Sequence, residues 1–256
     1  MSVVFDIYVE GTSLLHRLDP RTKLWSVALS VAMVFLVPDV LVQTALLITV
    51  HLILLGARIP WSILGQLWRQ MAVLVILILL LQPFFSPGGR VLLDLGALDL
   101  TTQGIETALE FALRALNIAF LVSGLLYTTP QPDLIRSLVR LGLPYTWGLT
   151  VSLSLRFLPA IQSIFHAVRD AQAARGWTPA GGLRRRVKEY IPVLVAVIIG
   201  TLRMTDQLTL ALAARGFETM GNRTAWRKLE MRGRDWLILL LTTLAFAGVL
   251  WLRLAN

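Results

Sequence analysis

Apolar residues fall into long blocks along this chain, and a membrane-spanning helix needs about 20 of them. Residues 24–37 form the first block and 40–57 the second, with Pro38-Asp39 marking a tight helical hairpin between them. A third covers about 70–85, includes the unbroken run 71–81, and stops at the breakers Pro83 and Pro87-Gly88-Gly89. After a loop carrying Arg90, Asp94 and Asp99, a fourth runs over 105–127 and contains Glu106, Glu110, Arg114 and Asn117. The last, 236–252, has Trp236 and Trp251 at its ends, where interfacial aromatics belong. The pattern predicts an all-α, polytopic membrane protein with about five transmembrane helices.

The stretch between the fourth and last blocks reads differently. It is too polar to be wholly embedded and too apolar for a disordered basic tail. Thr129-Pro130-Gln131-Pro132-Asp133 stops the fourth span and offers Asp133 as a helix N-cap. A short amphipathic helix follows, with Leu134, Ile135, Leu138, Val139 and Leu141 on one face and Arg136 and Arg140 on another; Gly142 and Pro144 end it. Two long helical patterns come next, over about 145–175 and 187–215, joined by a basic turn with Gly181-Gly182 and Arg184-Arg185-Arg186. Each would extend about 45 Å at 1.5 Å per residue. The apolar run 191–200 is short for a span and reads as buried against other helices, with a membrane crossing left open. The chain thus divides into a membrane region with four spans (1–127), a helical region (128–235) and a C-terminal transmembrane helix (236–256).

Composition agrees with lipid as part of the solvent: 56% of the 256 residues are hydrophobic and 15% charged, against about 25% charged in soluble domains. The net charge of +9 does not point to nucleic acid, because the cations sit in blocks between the apolar runs. With the N-terminus cytoplasmic, all 24 lysines and arginines except Arg90, Arg114 and Arg253 lie inside or at the inner surface, as the positive-inside rule requires. The helical region is then cytoplasmic. No cleaved signal peptide is expected, since the start Met1-Ser2-Val3-Val4-Phe5-Asp6 lacks a basic region before an apolar one. Without cysteine there are no disulfides or thiolate sites. No phosphate-binding loop, His-Glu-x-x-His or Gly-x-Ser-x-Gly occurs, so no ATP hydrolysis, catalytic residue, cofactor or metal site is expected of the chain itself.

A short internal repeat stands out. Ala173-Ala174-Arg175-Gly176-Trp177 returns forty residues on as Ala213-Ala214-Arg215-Gly216-Phe217, each time ending a long helical pattern. In the first helix Ile161, Ile164, Phe165, Val168 and Arg175 share a stripe; in the second, Leu208, Leu212 and Arg215 do. Alanines one, two and four residues before each arginine leave the guanidinium as the only long feature. Ordinary C-capping explains such an ending: a glycine at C′, a cation in the last turn and a hydrophobe packing back. It does not explain the same tetrapeptide on both helices with both arginines on the apolar stripe. A partner groove lined by carboxylates or carbonyls would select that arrangement.

These residues resemble the transmembrane T component of energy-coupling factor transporters, the vitamin and transition-metal importers of prokaryotes. The likeness covers nearly the whole chain: Leu18-Asp19-Pro20-Arg21-Thr22-Lys23-Leu24, Leu155-Arg156-Phe157-Leu158-Pro159, and the two segments ending in Ala174-Arg175-Gly176 and Ala214-Arg215-Gly216. The resemblance implies that region 128–235 forms cytoplasmic coupling helices. It implies that Arg175 and Arg215 insert into grooves of two ATP-binding cassette ATPases, and that the chain embraces a small substrate-capturing membrane protein, the S component. Asp170 and Asp206 precede the two motifs at unequal spacings and receive no role.

Other residues suggest less. His51 in the second span reads as a hydrogen-bonded interior residue rather than a proton relay or ligand; His16 and His166 are isolated. Glu106, Glu110 and Arg114 share one face of the fourth span, where a Glu110–Arg114 pair is expected ahead of ion conduction. The cluster 184–188 reads as a solvated turn at an anionic lipid surface, and Arg227-Lys228 and Arg232 to Arg234 as an anchor for the last span. The alternatives are a stand-alone secondary transporter or channel, which needs charges converging at mid-membrane, and a membrane-embedded enzyme. Neither accounts for the repeated helix ends.

Overall fold

The computed structural model describes residues 8–85, 91–94, 99–177, 182–217 and 231–255. It contains eight α-helices and one short hairpin among them, so the architecture is all-α in substance. The described residues form two compact units, one of residues within 8–142 together with 231–255, the other of residues within 143–217.

The first unit holds α1 (Pro20–Leu36), α2 (Val40–Gly56), α3 (Trp61–Phe85), α4 (Thr102–Thr128), α5 (Gln131–Arg140) and α8 (Gly233–Ala255). Local chemistry sets several of these ends. Asp19 caps α1 by accepting from the Arg21 N–H, with Pro20 in the first turn; Asp39 caps α2 through Leu41 and Val42. The hairpin β1 (Val91–Asp94) and β2 (Asp99–Thr101) links α3 to α4, and the Thr101 hydroxyl caps α4 at Gly104. The core lies where α2, α3 and α4 meet, around Leu47, Leu54, Leu64, Leu67, Leu116 and Phe120. Gly104 and Gly124 let backbones approach there: a β-carbon at Gly104 would sit 2.4 Å from the Pro83 carbonyl oxygen, and one at Gly124 2.7 Å from Leu54 Cδ2.

α8 runs parallel to α1 in constant register. Asp19 donates its N–H to Asp235 (2.8 Å), Trp25 Nε1 donates to Thr243 (3.3 Å), Ser26 meets Thr242, and Arg253 reaches the Leu36 carbonyl. The starts of the two helices therefore lie on the same side of this unit.

The second unit is a pair of long consecutive helices, α6 (Tyr145–Ala174) and α7 (Leu183–Ala214). Gly200 lies against Ile164, with a β-carbon position 3.2 Å from Cγ2. The facing stripe of α7 carries the buried Val193 and Val197, then Thr201, Met204, Leu208 and Leu212. The opposite faces leave Leu155 of α6 and Ile191, Leu194, Ile198, Leu202 and Leu210 of α7 exposed.

Several boundaries depart from the sequence reading. α3 begins nine residues before the expected 70 and passes through Pro83, because Trp61 to Arg69 continues the helical pattern into the interface. α7 begins at Leu183, so the residues 184–186 lie in its first turn and not in a connecting turn. α5 begins at Gln131 with Pro130 at its cap; Asp133 sits in the first turn and binds Arg136 at 2.9 Å instead of capping. Pro132 suits that first turn. α5 buries Asp133, Ile135 and Ser137, whereas Leu138 and Leu141 of the expected apolar face are exposed.

Among the described residues five helices are long and apolar enough to cross a membrane: α3, α4, α6, α7 and α8. The number matches the expectation, but the set differs. α1 and α2, at 17 residues each, are at the lower limit, while α6 and α7 qualify because 191–200 sits within a continuous 32-residue helix. The breakers Pro87-Gly88-Gly89 with Arg90, the Gly181 turn position and Arg227-Lys228 lie outside the described residues.

Candidate functional site: the two arginine-bearing helix tips

The repeated tetrapeptides end α6 and α7 in the same geometry. At the first, Gly176 adopts φ +83°, its N–H donates to the Ala173 carbonyl (2.9 Å), and the Trp177 N–H donates to the Gln172 carbonyl (3.0 Å). At the second, Gly216 adopts φ +69°, with Gly216 N–H to Ala213 (2.9 Å) and Phe217 N–H to Leu212 (3.1 Å). Both are Schellman caps, with glycine in the left-handed region at C′. The ordinary capping explanation is therefore correct for the backbone.

It does not account for the side chains. Ala173, Ala174, Arg175 and Gly176 are all exposed, as are Ala213, Ala214, Arg215 and Gly216, while the aromatic after each glycine is half-buried. The stripe residues Ile161, Ile164, Phe165, Val168, Leu208 and Leu212 are half-buried too, so each arginine extends the packed face past the point where packing ends. Neither guanidinium forms an ion pair or hydrogen bond among the described residues. What remains is a planar five-donor fork on an alanine platform, held by a rigid cap.

The tips are far apart. Trp177 stacks edge-on against Tyr190 (ring centroids 5.0 Å) and donates Nε1–H to the Glu189 carbonyl (3.1 Å), so the first tip is fixed beside the start of α7. From Tyr190 to Arg215 α7 advances about 37 Å at 1.5 Å per residue. The two arginines thus occupy opposite ends of one helix pair.

Other singled-out residues resolve differently. His51 donates Nδ1–H to the Leu47 carbonyl (2.8 Å) and accepts at Nε2 from Trp68 Nε1 (3.1 Å), with Phe120 at 4.3 Å between centroids. Both ring nitrogens are used, as an interior role requires. The expected Glu110–Arg114 pair does not form; Arg114 lies over the Phe35 and Phe111 rings, at 5.5 and 5.2 Å, exchanging a carboxylate for two aromatic faces. Asp170 pairs with its neighbour Arg169 at 3.1 Å, and Asp206 is exposed.

One polar cluster escaped the sequence reading. Lys23, buried at the head of α1, donates to the Thr128 carbonyl (2.9 Å) and the Thr129 hydroxyl (3.1 Å), with the opposing charges of Asp133, Asp235 and Asp19 nearby. Asp235 in turn accepts from the N–H groups of Asp19 and Arg232, both at 2.8 Å. The segment Leu18 to Leu24 is thus a junction that ties α1 to α4, α5 and α8. Its Asp-Pro start signals a cap, but nothing local signals the partners. Just upstream, His16 donates Nε2–H to the Val9 carbonyl (3.0 Å) and accepts at Nδ1 from the Ser13 hydroxyl (2.7 Å). Burial pushes this imidazole below its ordinary pKa, with the Val9 bond opposing.

The family model for CbiQ, described as a cobalt transport protein, matches residues 11–226. The chain is 32% identical over 246 residues to the energy-coupling factor transporter transmembrane protein EcfT of Streptococcus equi subsp. equi, covering 93% of this chain and 91% of the relative. It is 32% identical over 255 residues to EcfT of Listeria innocua (96% of each) and 31% over 262 to EcfT of Bacillus subtilis (98% of each). A multi-pass membrane chain, matched over nearly its whole length by these proteins, belongs to the EcfT/CbiQ family of energy-coupling factor transporter transmembrane proteins.

Proposed function

We propose that this chain is the coupling subunit of an ATP-driven importer for a vitamin or transition-metal ion. In this reading it passes motion from two ATP-binding cassette ATPases to a small S component that captures the substrate. The chain itself carries no catalytic group; hydrolysis belongs to the ATPases. Arg175 and Arg215, each on its platform (Ala174 and Gly176, Ala214 and Gly216), are the docking elements. The N-terminus and both tips are cytoplasmic, in the cell membrane.

The observation that carries this reading is the pair of identically capped, exposed arginine tips, unpaired among the described residues, at opposite ends of the α6–α7 pair. Two sites about 37 Å apart along a helix suit two separate motor subunits better than one. Rigid caps allow a displacement at a tip to move the whole helix, and the exposed apolar faces of α6 and α7 offer the surface on which a membrane-embedded partner is gripped. The test is co-purification of the chain with the two ATPases and measurement of uptake. Arg175→Ala with Arg215→Ala should abolish both, each single substitution weakening association. Undiminished co-purification and uptake by the double variant would falsify the docking assignment.

A further inference from the structure

The first unit contains a cavity of about 710 Å³ that the coupling role does not use. Its walls come from α1, α2, α4 and α8, and they are mostly apolar: Val27, Val50, Leu54, Phe120 and Leu121 line its depth. It reaches from the level of Thr22, Gly56 and Thr128 at the helix ends down to Ser30, Val50 and Phe120, about 9–12 Å along the axes at 1.5 Å per residue. That is the depth of most of one leaflet's hydrocarbon, about 15 Å.

The shallow end is basic. Arg58 lines it, and Arg58 is the only non-glycine residue with positive φ (60°) among those described. It stands at the C′ position of α2, where the Arg58 and Ile59 N–H groups close a Schellman cap on Leu55 and Leu54 and where glycine is the usual occupant. A second, smaller cavity of about 160 Å³ adjoins, sharing Leu14, Leu18 and Ile238 with the first and lined by Arg17, Arg232 and Arg234. All four arginines are exposed, and none forms an ion pair among the described residues. The carboxylate on that wall, Asp235, is already occupied by two backbone N–H groups. Thr22, fully buried on the wall of the larger cavity, has a hydroxyl without a hydrogen-bond partner among the described residues.

We propose that this unit binds one anionic phospholipid, its phosphate held by Arg17, Arg58, Arg232 and Arg234 and an acyl chain filling the cavity between α1, α2, α4 and α8. A largely apolar cleft of this size, open at its mouth, leaves its walls without packing partners unless something fills it, and its depth, its apolar wall and its cationic mouth together match a lipid and not a free anion. An arginine at a position that favours glycine is accounted for by a guanidinium serving at that mouth. The proposal requires only that the unit sits in a membrane, and it stands whether or not the tips dock ATPases.

Native mass spectrometry of the detergent-purified full chain, supplied with phosphatidylglycerol or phosphatidylcholine, tests it. The wild type should retain phosphatidylglycerol preferentially. Arg17→Gln, Arg58→Gln, Arg232→Gln and Arg234→Gln should each reduce that preference about fivefold, the equivalent of roughly 1 kcal/mol per surface cation. Ser30→Leu, which fills the cavity and leaves the arginines in place, should reduce retention of both lipids. Equal retention of the two lipids by the wild type would overturn the proposal, as would a Ser30→Leu protein that binds both normally. Recovery of the intact transporter with a partner's helix and no lipid in the cavity would overturn it too.

Discussion

Gly176 and Gly216 hold backbone angles that an L side chain resists by about 1–2 kcal/mol, and open space surrounds the β-carbon position at Gly176. A substitution at Gly176 therefore acts on the backbone alone. Gly176→Ala should destabilise the α6 end by about 1 kcal/mol, read as a lowered melting temperature of the detergent-solubilised protein and weaker ATPase association. Gly176→Asn should restore most of both, because asparagine tolerates the left-handed region. Equal damage from alanine and asparagine would show that size at the tip matters and backbone angle does not. At this scale the sequence was informative where the signal is specific: glycine after Arg175 and Arg215 announces a C-cap, whereas the N-cap expected at Asp133 falls to Pro130, and the caps that Asp19 and Asp39 form were not read. It was silent where the partner is distant. Nothing near Lys23 names Thr128 or Asp235, and the four-residue spacing of Glu110 and Arg114 suggested a pair that the nearby Phe35 and Phe111 rings displace.

Helices were legible as elements because apolar blocks and breakers dominate the chain, but their ends were blurred wherever a helix leaves the lipid. α3 begins among Trp61 to Arg69, which hydropathy counts as loop although the helical period continues. α7 absorbs the arginines at 184–186 for the same reason. Packing between elements was not readable at all, and it depends on a few close approaches. Gly104 and Gly124 differ in what a methyl group would strike: the Pro83 backbone carbonyl in one case, the tip of the flexible Leu54 side chain in the other. Gly104→Ala should cost about 1–3 kcal/mol, in the range of overpacked sites, because neither α3 nor α4 can yield without moving main chain. Gly124→Ala should cost less, since Leu54 can change rotamer. Melting temperatures of the two variants in the same detergent check the ranking, and a more damaging Gly124→Ala would contradict the α3–α4 contact described.

Across the whole molecule, the parallel register of α1 and α8 fixes a parity: counting α1 itself, the chain must cross the membrane an even number of times before α8 begins. Helices α2 to α4 with α1 satisfy this with four spans, and α6 with α7 adds either none or two. Parity therefore permits five crossings or seven, and length and apolarity permit both α6 and α7 to span. The proposed docking of both tips would be compatible with only one of these. Arg175 and Arg215 sit at opposite ends of the pair, about 37 Å apart along α7, and the hydrocarbon layer is about 30 Å thick. A pair that crossed it would place one arginine on each face, and only one could meet an ATPase. Docking of both thus requires α6 and α7 to lie along the cytoplasmic surface, their exposed apolar faces covered by lipid or by the S component. The native chain has no cysteine, so single cysteines report cleanly. Ala171→Cys and Ala211→Cys occupy equivalent exposed positions, each four residues before its arginine. In intact cells an impermeant maleimide should label neither, and after permeabilisation it should label both. Labelling of one and not the other from outside would mean that the pair spans the bilayer, and the two-motor docking scheme would fail with it.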